Sequence, residues 1–125
     1  MAESDIPKIT QDPMYQLLRV DDVAAFNQKK EAGDHCDLVC VNLRGLDMRG
    51  LNADGLDFTD SYMRVADLRG IDFRNSILEG VNIRGAKISG AYFPAELSCE
   101  EIRLSHERGT RMRYNPARKK TAADG

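Results

Sequence analysis

Six arginines, Arg44, Arg49, Arg64, Arg69, Arg74 and Arg84, recur at intervals that are all multiples of five. A guanidinium stays charged and grips carboxylates or phosphates through paired N–H donors. The chemistry this pattern offers is therefore anion recognition. Asp47, Asp67 and Asp72 stand two residues before Arg49, Arg69 and Arg74. Two readings stay open. The arginines form a surface compensated by its own carboxylates, or they line a groove for a phosphate backbone or an acidic protein partner.

The remaining reactive side chains are sparse. His35, Cys36 and Cys40 are clustered, but a structural zinc site needs four ligands. Cys99 and His106 are the only other candidates, seven residues apart. Nothing orients His106 as a base for Cys99. No P-loop, GxGxxG or HExxH motif occurs. No catalytic residue, metal or cofactor is expected, and the chain is not expected to be an enzyme. Three cysteines, an odd number, do not make a disulfide framework. The start, MAESDIPKIT, lacks the basic and apolar segments of a secretory signal. No apolar run approaches the ~18–20 residues of a membrane span. A cytoplasmic protein away from membranes is the expectation.

What positions the arginines is a repeat of five residues. From Cys36 the chain divides without insertion into CDLVC, VNLRG, LDMRG, LNADG, LDFTD, SYMRV, ADLRG, IDFRN, SILEG, VNIRG, AKISG and AYFPA. The third position of every unit is apolar: Leu38, Leu43, Met48, Ala53, Phe58, Met63, Leu68, Phe73, Leu78, Ile83, Ile88 and Phe93. First and third positions share one face of an extended segment, while second and fourth face the other way. The fifth is most often Gly, which turns a corner readily. A short side and a near-right-angle corner, repeated four times, close a coil of 20 residues. The twelve units then make about three coils, stacked at about 4.8 Å. First and third positions fill the interior.

Units such as ADLRG and VNLRG resemble the pentapeptide-repeat family, whose pattern is small-(Asp/Asn)-(Leu/Phe)-polar-Gly. The resemblance implies an all-β solenoid, a right-handed quadrilateral β-helix. Tyr62, Ile77, Lys87 and Tyr92 depart from the pattern at the second position. The best-known members of that family protect type II topoisomerases from fluoroquinolones or peptide toxins by resembling DNA, being long, dimeric and strongly acidic. This chain departs from them. Its repeat holds seven basic against eight acidic residues and is short. A DNA-mimic action on gyrase is therefore not transferred.

Both ends of such a solenoid expose core and need polar caps. Asp12-Pro13 and Asp21-Asp22 read as helix starts, predicting helices over 13–19 and 22–32 that close the first coil. Ser98-Cys99-Glu100-Glu101 matches a capping box. It predicts a helix ending near Arg108, with Ile102 and Leu104 toward the last coil. Thr110–Tyr114 alternates like a strand. Residues 1–10 are expected to fray and 115–125, with basic Arg118, Lys119 and Lys120, to form a disordered tail. The division is then 1–35 for tail and helical cap, 36–95 for the solenoid, and 96–125 for the second helical cap and tail.

Residues 20 apart stack in such a coil. Arg44, Arg64 and Arg84 form one column, and Arg49 and Arg69 a second. Tyr62, Val65, Ile77 and Tyr92 are exposed and off-pattern, candidates for a contact or for packing on the flanks. The expected function is a non-enzymatic interaction module presenting Arg44, Arg64, Arg84, Arg49, Arg69, Tyr62 and Tyr92 to a protein partner. The alternative is an anionic ligand or nucleic acid held by the columns, though nucleic acid is not the favoured partner. A homodimer through an uncapped end is a further expectation.

Overall fold

The structure is a computed structural model that describes residues 6–118. The chain returns alongside itself every 20 residues. Parallel bridges pair Asn42 with Tyr62 and Tyr62 with Asn82, then Asp47 with Asp67 and Asp67 with Lys87. Asp57 pairs with Ile77, and Asp72 with Tyr92. The hydrogen bonds follow the slanted parallel pattern. The Leu43 N–H donates to the Tyr62 carbonyl at 2.8 Å, and the Tyr62 N–H donates to the Val41 carbonyl at 3.0 Å. This is a β-helix-type fold, with each 20-residue return forming one level.

Among the described residues no continuous strand occurs. The expected all-β sides are single-residue bridges, and the five-residue repeat explains why. From Leu43 to Ile88, each third-position carbonyl accepts from the N–H three residues on, as in Ile71 to Leu68 at 3.2 Å and Ala86 to Ile83 at 3.0 Å. A turn therefore begins as soon as one residue has paired. The fifth residue of the unit usually takes a left-handed φ, at Gly45, Gly70 and Gly90 for example. Asp60 and Val65 adopt it without being Gly, with φ of 61° and 51°. Asn75 is not among the left-handed residues. Its side chain instead donates to Asp54 Oδ1 at 2.9 Å.

Side chains alternate about this backbone. Leu38, Leu43, Met48, Ala53, Phe58, Met63, Leu68, Phe73, Leu78 and Ile83 are buried. Ile88 and Phe93 are only partly buried, packed at the edge of that cluster. Phe73 meets the edge of Phe58 at 6.0 Å between centroids and stacks on Phe93 at 6.2 Å. Ser61 and Ser76 occupy inward first positions without cost to hydrogen bonding. Ser61 Oγ donates to the Leu38 carbonyl and accepts from the Val41 N–H, and Ser76 Oγ donates to the Ala53 carbonyl at 2.7 Å.

Helix α1 spans Pro13–Arg19 and starts at Asp12, whose carboxylate accepts from the Tyr15 N–H at 3.0 Å. Helix α2 spans Val23–Glu31 and starts at Asp22. Met14, Tyr15, Leu18 and Phe26 join the repeat core, and the Tyr15 hydroxyl donates to the Asn42 carbonyl at 2.6 Å. Helix α3 spans Cys99–Arg108, from Ser98, which accepts from the Glu101 N–H, to a left-handed Gly109. The Ile83 N–H donates to Ser105 Oγ at 3.0 Å, and the Gly85 N–H to the His106 carbonyl at 3.0 Å. Ile102 packs on the core, whereas Leu104 is exposed and does not face it.

Both flanks extend further than anticipated. Residues 6–10 are not a frayed end. Lys8 bridges Val41, donating to the Cys40 carbonyl and accepting from the Asn42 N–H. Residues 1–5 lie outside the described residues. At the other end Met112 is buried and exchanges hydrogen bonds with Gly80 and Val81. The Leu78 N–H donates to the Tyr114 hydroxyl at 2.8 Å. Residues 115–118 are likewise not a loose tail. The Asn115 N–H donates to the Glu96 carbonyl, and Pro116–Arg118 is a single 3₁₀ turn. Lys119 and Lys120 fall outside the described residues. Among those described, no helix is long and apolar enough to cross a membrane.

Candidate interaction face

Each arginine sits at the fourth position of a unit, two residues after the bridge residue. The side chain at the second position turns back on the backbone. Asp47, Asp67 and Asp72 accept from the N–H of Arg49, Arg69 and Arg74. Asn42 and Asn82 do the same for Arg44 and Arg84, at 3.0 and 3.1 Å. This local Asx-type bond suits either residue. The two differ in what remains. Asp has a second charged oxygen to offer, and Asn has none.

That difference divides the arginines into two sets. Arg49 grips Asp47 through Nε and Nη2 at 2.9 and 2.8 Å, and reaches Asp67 at 3.3 Å. Arg69 grips Asp67 at 2.9 and 2.7 Å, and Arg74 grips Asp72 at 3.0 and 2.8 Å. The hydrogen-bonded Arg49 guanidinium holds the Asp47 carboxyl at about 2, and Arg74 does the same for Asp72. Asp67 is also held below the usual carboxylate range, first by its Arg69 bond. Asp67 is the shared member, its side chain only 14% exposed between two guanidiniums.

Among the described residues, Arg44, Arg64 and Arg84 have no such partner. Their second-position neighbours are Asn42, Tyr62 and Asn82. No ion pair to any of the three occurs among the described residues. Arg64 turns onto Tyr62, donating through Nη1 to the hydroxyl with its Cζ 5.3 Å from the ring centre. Arg84 runs its aliphatic stem past Gly109, where a Cβ would meet its Cδ at 3.0 Å. The three line a recess of about 550 Å³ with Ile6, Pro7, Asn42, Tyr62, Val65 and Gly85. Among the described residues its lining holds three arginines and no carboxylate. Ile6 and Val65 supply the apolar part and are 54% and 52% exposed.

The other aromatic and apolar positions lie apart from this recess. Tyr92 is exposed and lies under Arg74, whose Cζ is 4.6 Å from the ring centre. Ile77 is exposed on another side. The cysteines do not converge. Burial pushes the Cys36 thiol up, and Cys99 is exposed on α3. The His106 ring is spent on the Ala86 carbonyl at 2.9 Å. No group of three His, Cys, Asp or Glu side chains is placed to hold a metal among the described residues.

The recess depends on two features not drawn from the repeat pattern. The Asn-for-Asp exchange at 42 and 82 was visible in the units VNLRG and VNIRG, and it is the signal that singles out this column. The Ile6-Pro7 wall had no local signal, because it arises from the pairing of Lys8 with Val41. Compared with known families, residues 57–93 match the model described as pentapeptide repeats, in eight copies. No curated protein and no solved structure matches the chain.

Proposed function

The chain is a pentapeptide-repeat protein, and on that premise we propose that it is a non-enzymatic interaction module. Its contact face carries Arg44, Arg64 and Arg84, and its ligand is a protein partner. The architecture in this reading is about three coils of a right-handed quadrilateral β-helix over 36–95. Helices α1 and α2, within 1–35, and α3, within 96–125, cap its two ends. The 20-residue bridges and the contacts of the helices with the core support it. The free cysteines suit a reducing cytoplasm.

One observation carries the choice of face. Among the described residues, this column alone stacks three arginines with no carboxylate beside them. Like charges at strand spacing repel, and on the neighbouring side Asp47 and Asp67 offset that repulsion. On the Arg44 side an incoming anion would offset it. Tyr62 and Tyr92 hold their own neighbouring arginines, so Tyr62 shapes the recess and Tyr92 lies outside it.

Affinity capture from native lysate tests the reading, with the wild-type chain beside Arg44→Glu/Arg64→Glu/Arg84→Glu. Proteins held by the first and lost from the second support it. A capture profile unchanged by the triple substitution overturns the assignment of the face. Gel shifts at two salt concentrations decide the nucleic-acid alternative, since phosphate contacts weaken steeply with salt.

A further inference from the structure

Resting on that reading of the face, we infer that its occupant is an extended acidic segment of a partner polypeptide. The segment runs along the Arg44, Arg64 and Arg84 column, across the levels, and sets an apolar side chain against Ile6 and Val65. Four features converge on this occupant.

Charge comes first. Among the described residues, three guanidiniums line the recess and no acidic residue does. Carboxylates are the complementary group, and each arginine can take one in two parallel bonds. Size comes second. Two level spacings separate Arg44 from Arg84, about 10 Å at the parallel-strand distance. An extended chain covers that length in about three residues. Acidic side chains two residues apart along such a run point the same way, toward the column.

The third feature is the apolar wall. Val65 takes a left-handed φ of 51° at a corner where the next level has Gly85. A β-branched residue in that region is strained. Val65 is nevertheless half exposed and opens into the recess beside Ile6. The interior gains little from such a side chain, whereas a bound apolar group would cover it. The fourth feature separates a polypeptide from a nucleic acid. Single strands are held by free aromatic faces on which bases stack. Tyr62 is the aromatic residue in the recess, and Arg64 already takes both its ring and its hydroxyl. The other apolar lining residues, Ile6, Pro7 and Val65, are aliphatic.

Fluorescence anisotropy tests the inference. Three labelled ligands are titrated: a short peptide of glutamates and valines, the same peptide with glutamine for glutamate, and a thymidine oligonucleotide of equal charge. The glutamate–valine peptide binds the wild-type chain. The glutamine analogue binds about tenfold more weakly, as does the acidic peptide to Arg44→Gln/Arg64→Gln/Arg84→Gln, since three exposed charge pairs are lost. Val65→Asn keeps a residue that tolerates the left-handed corner and weakens binding about threefold through lost apolar contact. Arg44→Gln alone, at an exposed position, gives a two- to threefold loss of about one such pair and serves if the triple variant melts early. An oligonucleotide that binds as tightly as the peptide overturns the inference, as does peptide binding indifferent to the arginines. If lysate capture depends on the triple arginine but the acidic peptide binds no better than its glutamine analogue, the functional reading stands and this inference falls.

Discussion

Gly80 sits directly over Asp60 on the previous level, and that contact makes the 20-residue stacking measurable. A Cβ on Gly80 would overlap Asp60 Oδ1 and lie 3.0 Å from its Cγ and 3.2 Å from its backbone nitrogen. At Gly70 a Cβ would meet nothing within 4 Å. Both glycines are left-handed, with φ of 81° and 75°. Gly70→Ala therefore carries the conformational cost alone, roughly 1–2 kcal/mol. Gly80→Ala carries the same cost plus displacement of Asp60, a further ~1–3 kcal/mol for overpacking. Asp60 is itself left-handed, so Asp60→Gly removes the obstructing side chain and suits the backbone. Its contact with Arg111, at 3.8 Å and exposed, adds little to oppose this. The double variant Asp60→Gly/Gly80→Ala should return to about the Gly70→Ala level. Urea unfolding of the wild type, Asp60→Gly, Gly80→Ala and the double variant gives the coupling as a double-mutant cycle, with Gly70→Ala as the reference. Equal losses at Gly70 and Gly80, or additivity within about 0.5 kcal/mol, would refute the register in which residue 60 lies beneath residue 80.

Three further expectations follow from the interior and the paired face. Phe73→Ala removes the ring that touches both Phe58 and Phe93, and should cost about 3–5 kcal/mol by chemical denaturation. A loss under 1 kcal/mol would contradict its central place. Ser61→Ala leaves the Val41 N–H and Leu38 carbonyl without their buried partner, at about 1–3 kcal/mol. A wild-type unfolding midpoint would mean that those groups find another partner. Asp47 and Asp72 are held at about 2, below their unfolded values. Their pairing therefore stabilises the fold above the unfolded carboxylate range and is lost as pH falls toward 2. Unfolding midpoints should drop over that window, less steeply in Asp47→Asn/Asp72→Asn. Identical slopes would refute the contribution.

The parts of the fold legible in the sequence were those with local causes. The apolar third positions from Leu38 to Ile83 are inward because extended backbone alternates, and each corner resets that alternation. Helix starts at Asp12 and Ser98 were legible because a side-chain oxygen beside the first turn meets its free N–H groups. The capping box at Ser98 proved half-filled. Glu101 accepts from the Arg113 backbone and grips its guanidinium, a contact 12 residues away that composition does not encode. Lys8 against Val41 and Met112 against Val81 escaped for the same reason. Each end segment pairs with the solenoid across a long separation, and a short polar stretch carries no periodicity to announce it. Leu104 was misjudged because α3 rests on the repeat through Ile102, Ser105 and His106, leaving Leu104 outward. The arginine columns were legible once the period was known. Their inequality lay in single letters, Asn42 and Asn82 against Asp47 and Asp67.

The central claim is that the arginines without carboxylates make the contact and the paired ones do not. Two triple variants, Arg44→Gln/Arg64→Gln/Arg84→Gln and Arg49→Gln/Arg69→Gln/Arg74→Gln, are compared in quantitative capture of the same lysate proteins at equal folded concentration. Loss of capture in the first and retention in the second is the predicted result. Equal retention in both, or loss confined to the second, would contradict the account.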